Sequence, residues 1–309
     1  MITKRGSFLL GWLALLAMGC PRPSLLVTSQ SDKTVHEFNG RTGLPRSSVA
    51  QGGALGDPLG LVMGLDGNLL VSDGQTNQVK RYSCTTGAFL GVFASTNLAG
   101  PTGMTIHEGS LFVANSNPPQ GVQRFDATTG ANTGSFTPSL ANPSPRDVKV
   151  NPANGRLYVL YYNLATVETF NLATMASTGV LMPPGSPTGS GGLYTPSALA
   201  FGPDGNLYIS GGTFGGKLGV RRYNPATGAF INFFAKTPDD QSPIGITFGP
   251  DRNLYVSTQN KANVMRFKFP TGAFMDFFVT DHSGGLTSPF HLTFGKCHGR
   301  PKGGQTSPL

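Results

Sequence analysis

The chain has 309 residues, a formal net charge of +8, 43 Gly, 24 Pro and only 12% charged residues. Its Lys and Arg are spread thinly apart from a loose "KCHGRPK" near the end, which excludes the clustered basic face that nucleic-acid binding requires. So much Gly and Pro would suit a disordered chain, but regularly recurring apolar segments argue for a repeat fold.

Lys4 and Arg5, an apolar run from Phe8 to Met18 and small Gly19 read as an export signal over residues 1–19, too short and too early for a membrane span. "LAMGC" (Leu16 to Cys20) resembles a bacterial lipobox, although Ala17 stands where that pattern prefers Leu. The resemblance implies that Cys20 begins the mature chain and carries a lipid, which would be its sole attachment to a cell-envelope membrane. Ordinary signal cleavage, giving a periplasmic or secreted protein, is the alternative. Residues 20–24 are then a tether, 25–296 the fold and 297–309 a flexible tail. Cys84 and Cys297 are the remaining cysteines and allow one disulfide or two thiols.

Along the chain, Pro-initiated segments start at Pro58, Pro101, Pro145, Pro196, Pro243 and Pro289, spaced by 43, 44, 51, 47 and 46 residues. In each, alternation puts one apolar pair on one face: Leu61 and Met63, Met104 and Ile106, Val148 and Val150, Leu199 and Phe201, Ile246 and Phe248, Leu292 and Phe294. Second strands follow ("LLVS", "LFVA", "LYVL", "LYIS", "LYVS"), then third strands ("VHEFN", "VKRYS", "VQRFD", "VETFN", "VRRYN", "VMRFK"). Thr-Gly then opens a fourth, as in "TGAFLGVF" and "TGAFMDFF". The N-terminal end of the repeat begins in second-strand sequence ("LLVTS"), while the C-terminal end supplies a first strand ("PFHLTFG"). One unit is therefore shared between the ends. The expected fold is all-β, a six-bladed propeller with four antiparallel strands per blade and its ring closed by the C-terminal strand.

"GPDGNLYIS" and "VRRYN" resemble the six-bladed NHL-repeat and TolB-like propellers, over about residues 25 to 295. That resemblance is informative for fold and poor for function, since such propellers include lactonases, lyases and binding modules. Gluconolactonase-like propellers use a Glu early in a first strand, where this chain has His291. Virginiamycin B lyase-like propellers use a Glu-x-His pair, which is absent here. The amidating-lyase type needs several zinc-binding His, and the five present mostly fall elsewhere. No Gly-x-Ser-x-Gly elbow, phosphate loop or Ser/His/Asp arrangement occurs.

The recurring Arg81, Arg124, Arg222 and Arg266 read as strand-packing or inter-blade devices, and the Thr-Gly pairs as turns needing positive φ. In "FGPDGNLYIS" and "FGPDRNLYVS" the Pro-Asp-Gly/Arg-Asn stretch is a hairpin between first and second strands, on the face away from the expected mouth. Function is expected where the repeat breaks, at the rim where fourth-to-first and second-to-third loops gather. Two residues after each Pro stand Gly60, Gly103, Asp147, Ala198, Gly245 and His291. Second strands end near Asp73, Asn115 and Tyr161. The candidate binding set at the channel mouth is therefore Asp73, Asn115, Arg146, Asp147, Tyr161, His282 and His291. Within it Asp73, Asn115, Asp147 and His291 are the candidate ligands for a divalent cation (Ca, Mg or Zn), which would polarise a carbonyl or activate water. A hydrated channel with ordinary polar lining is the structural alternative. Lys149 has channel-facing parity. The Gly-rich "SGGTFGGKLG" and "MPPGSPTGSGG" read as rim loops. Cys84 and Cys297 are expected in loops opposite the mouth at different radii, which argues against pairing.

The functional expectation is an exported, lipid-anchored, monomeric binding or scaffolding module for a protein, peptide or glycan. A divalent-metal lyase or lactonase-type hydrolase is the competing reading.

Overall fold

The structure, a computed structural model, describes residues 23–46, 48–50, 55–182, 191–213 and 216–297. The leader, Cys20, most of the Met182 to Gly192 loop and the tail from 298 lie outside the described residues. The fold is all-β, and a single 3-10 turn at Ser283–Gly285 is the one helical element among the described residues. Blade 1 runs through Pro58–Met63, Leu69–Asp73, Gln78–Tyr82 and Phe89–Ala94, each strand antiparallel to the next. Blade 2 starts at Pro101–His107, blade 3 at Pro145–Val150, blade 4 at Leu199–Phe201 and blade 5 at Pro243–Phe248. Blade 4 gains a two-residue strand, Leu193–Tyr194, from the insertion that lengthens its repeat.

Blade 6 closes the ring as the split repeat requires. Pro289–Gly295 pairs antiparallel with Ser24–Ser29, which pairs with Thr34–Asn39. Among the described residues its fourth position holds no full strand: an isolated bridge, Phe38 to Pro45, and amide bonds from Arg46 to Glu37 and from Val49 to Val35 carry the chain along that edge. The six inner strands touch in sequence order around the axis, blade 6 meeting blade 1.

One apolar cluster fills each blade interface. Phe112, Val122 and Phe136 of blade 2, for example, pack on Val148, Val159 and Phe170 of blade 3. The alternating pairs of the first strands all enter these clusters. Burial of so many branched and aromatic side chains, at ~1.5–3 kcal/mol each, drives the blades together.

Near the axis the blades are also stitched by hydroxyl groups. Ser72 Oγ accepts the Gly60 amide of its own inner strand (2.7 Å) and donates to the Thr102 carbonyl of the next blade (2.6 Å). Ser210 joins Ala198 to Ile244, Ser257 joins Gly245 to Phe290, and Thr28 joins His291 to Leu59 in the same way. Blades 2 and 3 carry Ala114 and Leu160 at that place. Thr102 Oγ1 instead reaches the Pro145 carbonyl (3.2 Å), and Asp147 Oδ2 accepts the Leu199 amide of blade 4 (3.0 Å). All six interfaces are thereby bridged, and buried inner-strand groups that would otherwise lack partners are satisfied.

Of the two roles expected for the repeated Arg residues, strand packing and inter-blade contact, Arg222 and Arg266 take the first and act within their blades. Arg222 pairs with Asp204 and Arg266 with Asp251 and Asp276, tying third strands to the first hairpin turns or to the fourth strand. Gly205 and Arg252 occupy the same turn position at φ 75° and 65°, so Arg252 is held in the left-handed region at a cost of ~1 kcal/mol. The Thr-Gly turns meet two demands. Gly272 has φ 73°, and a Cβ there would lie 1.9 Å from the Phe234 carbonyl oxygen of the preceding blade.

Cys84 and Cys297 are joined in a disulfide, contrary to the expectation from their radii. Cys297 follows the innermost strand of blade 6, and its carbonyl is held by Ser24 Oγ in the apolar interface with blade 1, where Cys84 also lies. Sequence-distant loops at unequal radii thus meet because they flank one interface, and the bond adds a covalent lock to ring closure.

The stitch gives a direct test. Ser257→Ala strands the Gly245 amide and the Phe290 carbonyl, so chemical denaturation should show a loss of ~1–3 kcal/mol with an unchanged m-value. Unchanged stability would mean that apolar packing alone holds blades 5 and 6 together.

Candidate functional site

The axis divides into a plugged end and a chamber. At the end bearing the fourth-to-first loops, Leu59, Ile244 and Phe290, each one residue after an initiating Pro, form a buried apolar plug. Register shifts between Pro58 and Leu61 and between Pro243 and Ile246 mark a bulge at these positions. Beneath the plug, a chamber of about 390 Å³ is lined by Asp147, His291 and Ala198, then by Val62, Thr105, Lys149, Thr247 and Thr293. It extends past Val150 and Pro152 toward the face carrying the first hairpins, opposite to the expected mouth.

Of the candidate residues, Asp147 and His291 both line the chamber. Asp147 is buried and fully engaged: Oδ1 accepts Lys149 Nζ (2.8 Å) and the Val148 amide (2.8 Å), and Oδ2 accepts Leu199. Lys149 Nζ also donates to the Val148 and Met104 carbonyls. The absence of a side chain at Gly103 makes room for Asp147, because a Cβ there would lie 2.1 Å from Oδ1. His291 is 6% exposed, its Nε2 has no partner, and burial pushes its pKa down to about 4. It is therefore a neutral imidazole at physiological pH.

Asp73 and Asn115 belong elsewhere. Asp73 accepts the amides of Gly56 and Asp57 and the Lys80 ammonium (2.7 Å), and so clamps the loop entering blade 1. Burial opposes its ionisation, yet these bonds hold the carboxyl below its ordinary range. Asn115 spans the Ala99 amide and the Pro119 carbonyl, clamping the loops of blade 2. Neither lines the chamber, and no group of three or more His, Cys, Asp or Glu side chains forms a cation site among the described residues. The proposed four-ligand metal set is not assembled, since two members spend their oxygens on loop backbone.

Tyr161 is also structural. It is fully buried, and its hydroxyl donates to Glu168 Oε2 (2.6 Å); burial and that carboxylate push its pKa up. His282 is exposed and opens the Ser283–Gly285 turn, with Nδ1 3.3 Å from the Leu286 carbonyl. It does not line the chamber.

Arg146 is different. It occupies the plug position of blade 3, and its guanidinium crosses the axis to lie 4.5 Å from the ring centroid of Phe290, in the opposite blade. Tyr162, 39% exposed, lies 5.4 Å away. Arg146 makes no hydrogen bond or ion pair among the described residues, and its Nε is buried without a partner. Burial lowers its pKa, while Tyr162, Asp57 and Asp147 act in the opposite sense.

The apolar plug residues Leu59, Ile244 and Phe290 were not among the sequence candidates, and Tyr162 stood outside the set at the channel mouth. The series one residue after each Pro, Leu59, Thr102, Arg146, Ser197, Ile244 and Phe290, carries the signal: one charged residue among apolar and hydroxyl side chains.

No family model matches the chain, and no curated protein does. Solved structures do. A nidogen/laminin complex aligns with TM-score 0.67 and 17% identity over 88% of this chain and 98% of that one. A protein of unknown function from Bacteroides caccae aligns with TM-score 0.66 and 13% identity over 89% and 99%. Virginiamycin B lyase from Staphylococcus aureus, in a catalytically inactive form with quinupristin, aligns with TM-score 0.59 and 12% identity over 90% and 94%. At such identities the likeness is one of fold, and with the ring of blades it places the chain among the six-bladed β-propellers.

The buried imidazole makes stability depend on pH. His291 titrates near 4 when folded and near 6.5 when unfolded, so between these values only the unfolded chain takes up the proton. Its contribution is complete above about pH 6.5 and lost as pH falls to about 4, a change of ~3 kcal/mol. Denaturation at pH 7 and pH 4.5 should show this loss in the wild type and a smaller one in His291→Gln; equal losses would place the imidazole in solvent.

Proposed function

We propose that the protein is an exported binding propeller that engages a protein or peptide with the face bearing its fourth-to-first loops. The observation that carries this reading is the commitment of polar groups around the axis. Asp73, Asn115 and Asp147 are engaged in bonds that hold loops and blades, whereas Arg146 and exposed Tyr162 stand on the plugged face without comparable ties. A rigid ring presenting such side chains over a closed axis suits recognition better than chemistry: in the chamber the His291 imidazole is unpartnered, but Asp147 and Lys149 beside it are bonded to each other and offer it no free acid or base to work with. A nidogen/laminin complex among the structural neighbours supports a protein-binding use of the scaffold. The Cys84–Cys297 bond supports export to an oxidising compartment, in keeping with the leader sequence.

A photoreactive amino acid at Tyr162 should give discrete adducts in intact cells, while one at Arg156, by the first hairpin of blade 3, should not. No adduct at 162, or equal labelling at both, would count against a specific loop-face partner. Anchoring is separately measurable: Cys20→Ser should move the protein from the membrane to the soluble fraction. Undiminished membrane association would rule out the lipid anchor.

A further inference from the structure

We propose that Arg146, Tyr162 and Phe290 form a carboxylate-binding subsite on the propeller axis at the plugged face. The inference deepens the loop-face reading and rests on it for the source of the carboxylate, an acidic side chain or chain end of a peptide.

Four features lead there. Arg146 is the one charged residue in the ring of plug positions, so it breaks the repeat where the six blades come closest. Its guanidinium is stacked on Phe290 and flanked by Tyr162, which fixes the plane of the fork without using its hydrogen bonds. It has no partner carboxylate within ion-pairing distance among the described residues, although burial has removed much of its hydration. A desolvated cation of this kind lowers stability unless something supplies the missing acceptors. The surrounding charge selects the anion. Asp57 and Asp147 contribute negative potential at Arg146, and Lys149 is engaged with Asp147 beneath the plug. A doubly charged phosphate would meet that repulsion with one guanidinium to offset it. A planar monoanion fits the fork with two parallel N–H···O bonds and leaves its apolar remainder against the rings.

The test follows the Arg Nε–H resonances of the full mature chain, with the Arg146 signal assigned by its loss in Arg146→Gln. Propionate should shift that signal saturably in the millimolar range, and Tyr162→Ala should weaken the response at least threefold. Sodium chloride at equal ionic strength and inorganic phosphate should move it much less. An equal, non-saturating response to chloride would reduce the effect to screening and overturn the subsite; a stronger response to phosphate would overturn the selection of a monoanion. Thermal unfolding provides a second readout, because Arg146→Met removes an unpaired buried charge and should leave Tm unchanged or raised. A fall in Tm of more than ~5 °C would make Arg146 a structural residue and sink the proposal. The two readings fail separately. Loop-face adducts that persist in Arg146→Gln would retain the partner and remove the carboxylate subsite, whereas a saturable propionate shift without adducts would do the reverse.

Discussion

Every inner strand of this ring must satisfy its backbone against a neighbour to which no β-ladder connects it. Radial blades pack face to face, so inner-strand amides and carbonyls near the plug have no ladder partners across the interface. One hydroxyl per interface bridges that gap in four cases, a Thr from the inner strand in the fifth and the Asp147 carboxylate in the sixth. Much of the local chemistry follows from this. Gly60, Gly103 and Gly245 stand where a Cβ would strike the next inner strand, and Ser is favoured at the matching second-strand position. Asp147, which looks catalytic in isolation, belongs to the same stitching system and takes over where Leu160 supplies no hydroxyl.

The axis consequently has two unlike ends. Below the plug, the chamber holds a carboxylate–ammonium pair that is internally satisfied and a neutral imidazole whose protonation is suppressed by burial. Above it, Arg146 keeps its charge in an aromatic setting without an acceptor. Internally satisfied groups rigidify the ring; an unsatisfied cation weakens it. A group that lowers stability and is placed where six loops converge is more informative about binding than any number of paired ones.

Much of the architecture was legible along the chain. Alternation named the residues that fill the interfaces, the Pro spacing counted the blades, and the truncated ends named the closing strand. The paired turns "GPDGN" and "GPDRN" disclosed a left-handed position that Gly205 and Arg252 share. The candidate site was legible only in part. Asp147, His291 and Lys149 do share the chamber, but Asp73, Asn115 and Tyr161 turn into loop clamps and interface, and Tyr162, beside its buried neighbour, stood outside the candidate set.

Sequence alone determined the strands, the turns, the blade count and the ring closure, because each depends on backbone preferences and side-chain parity repeated every four or five dozen residues. Tertiary structure decided which unrepeated side chains meet. The axis is built from six segments far apart in the chain, and bulges after the initiating Pro residues bring a second set of positions, Leu59, Arg146, Ile244 and Phe290, to its end. Whether Asp73 faces an axis or a loop amide, and whether Cys84 reaches Cys297, depends on the curvature of the whole ring. No local pattern encodes that curvature.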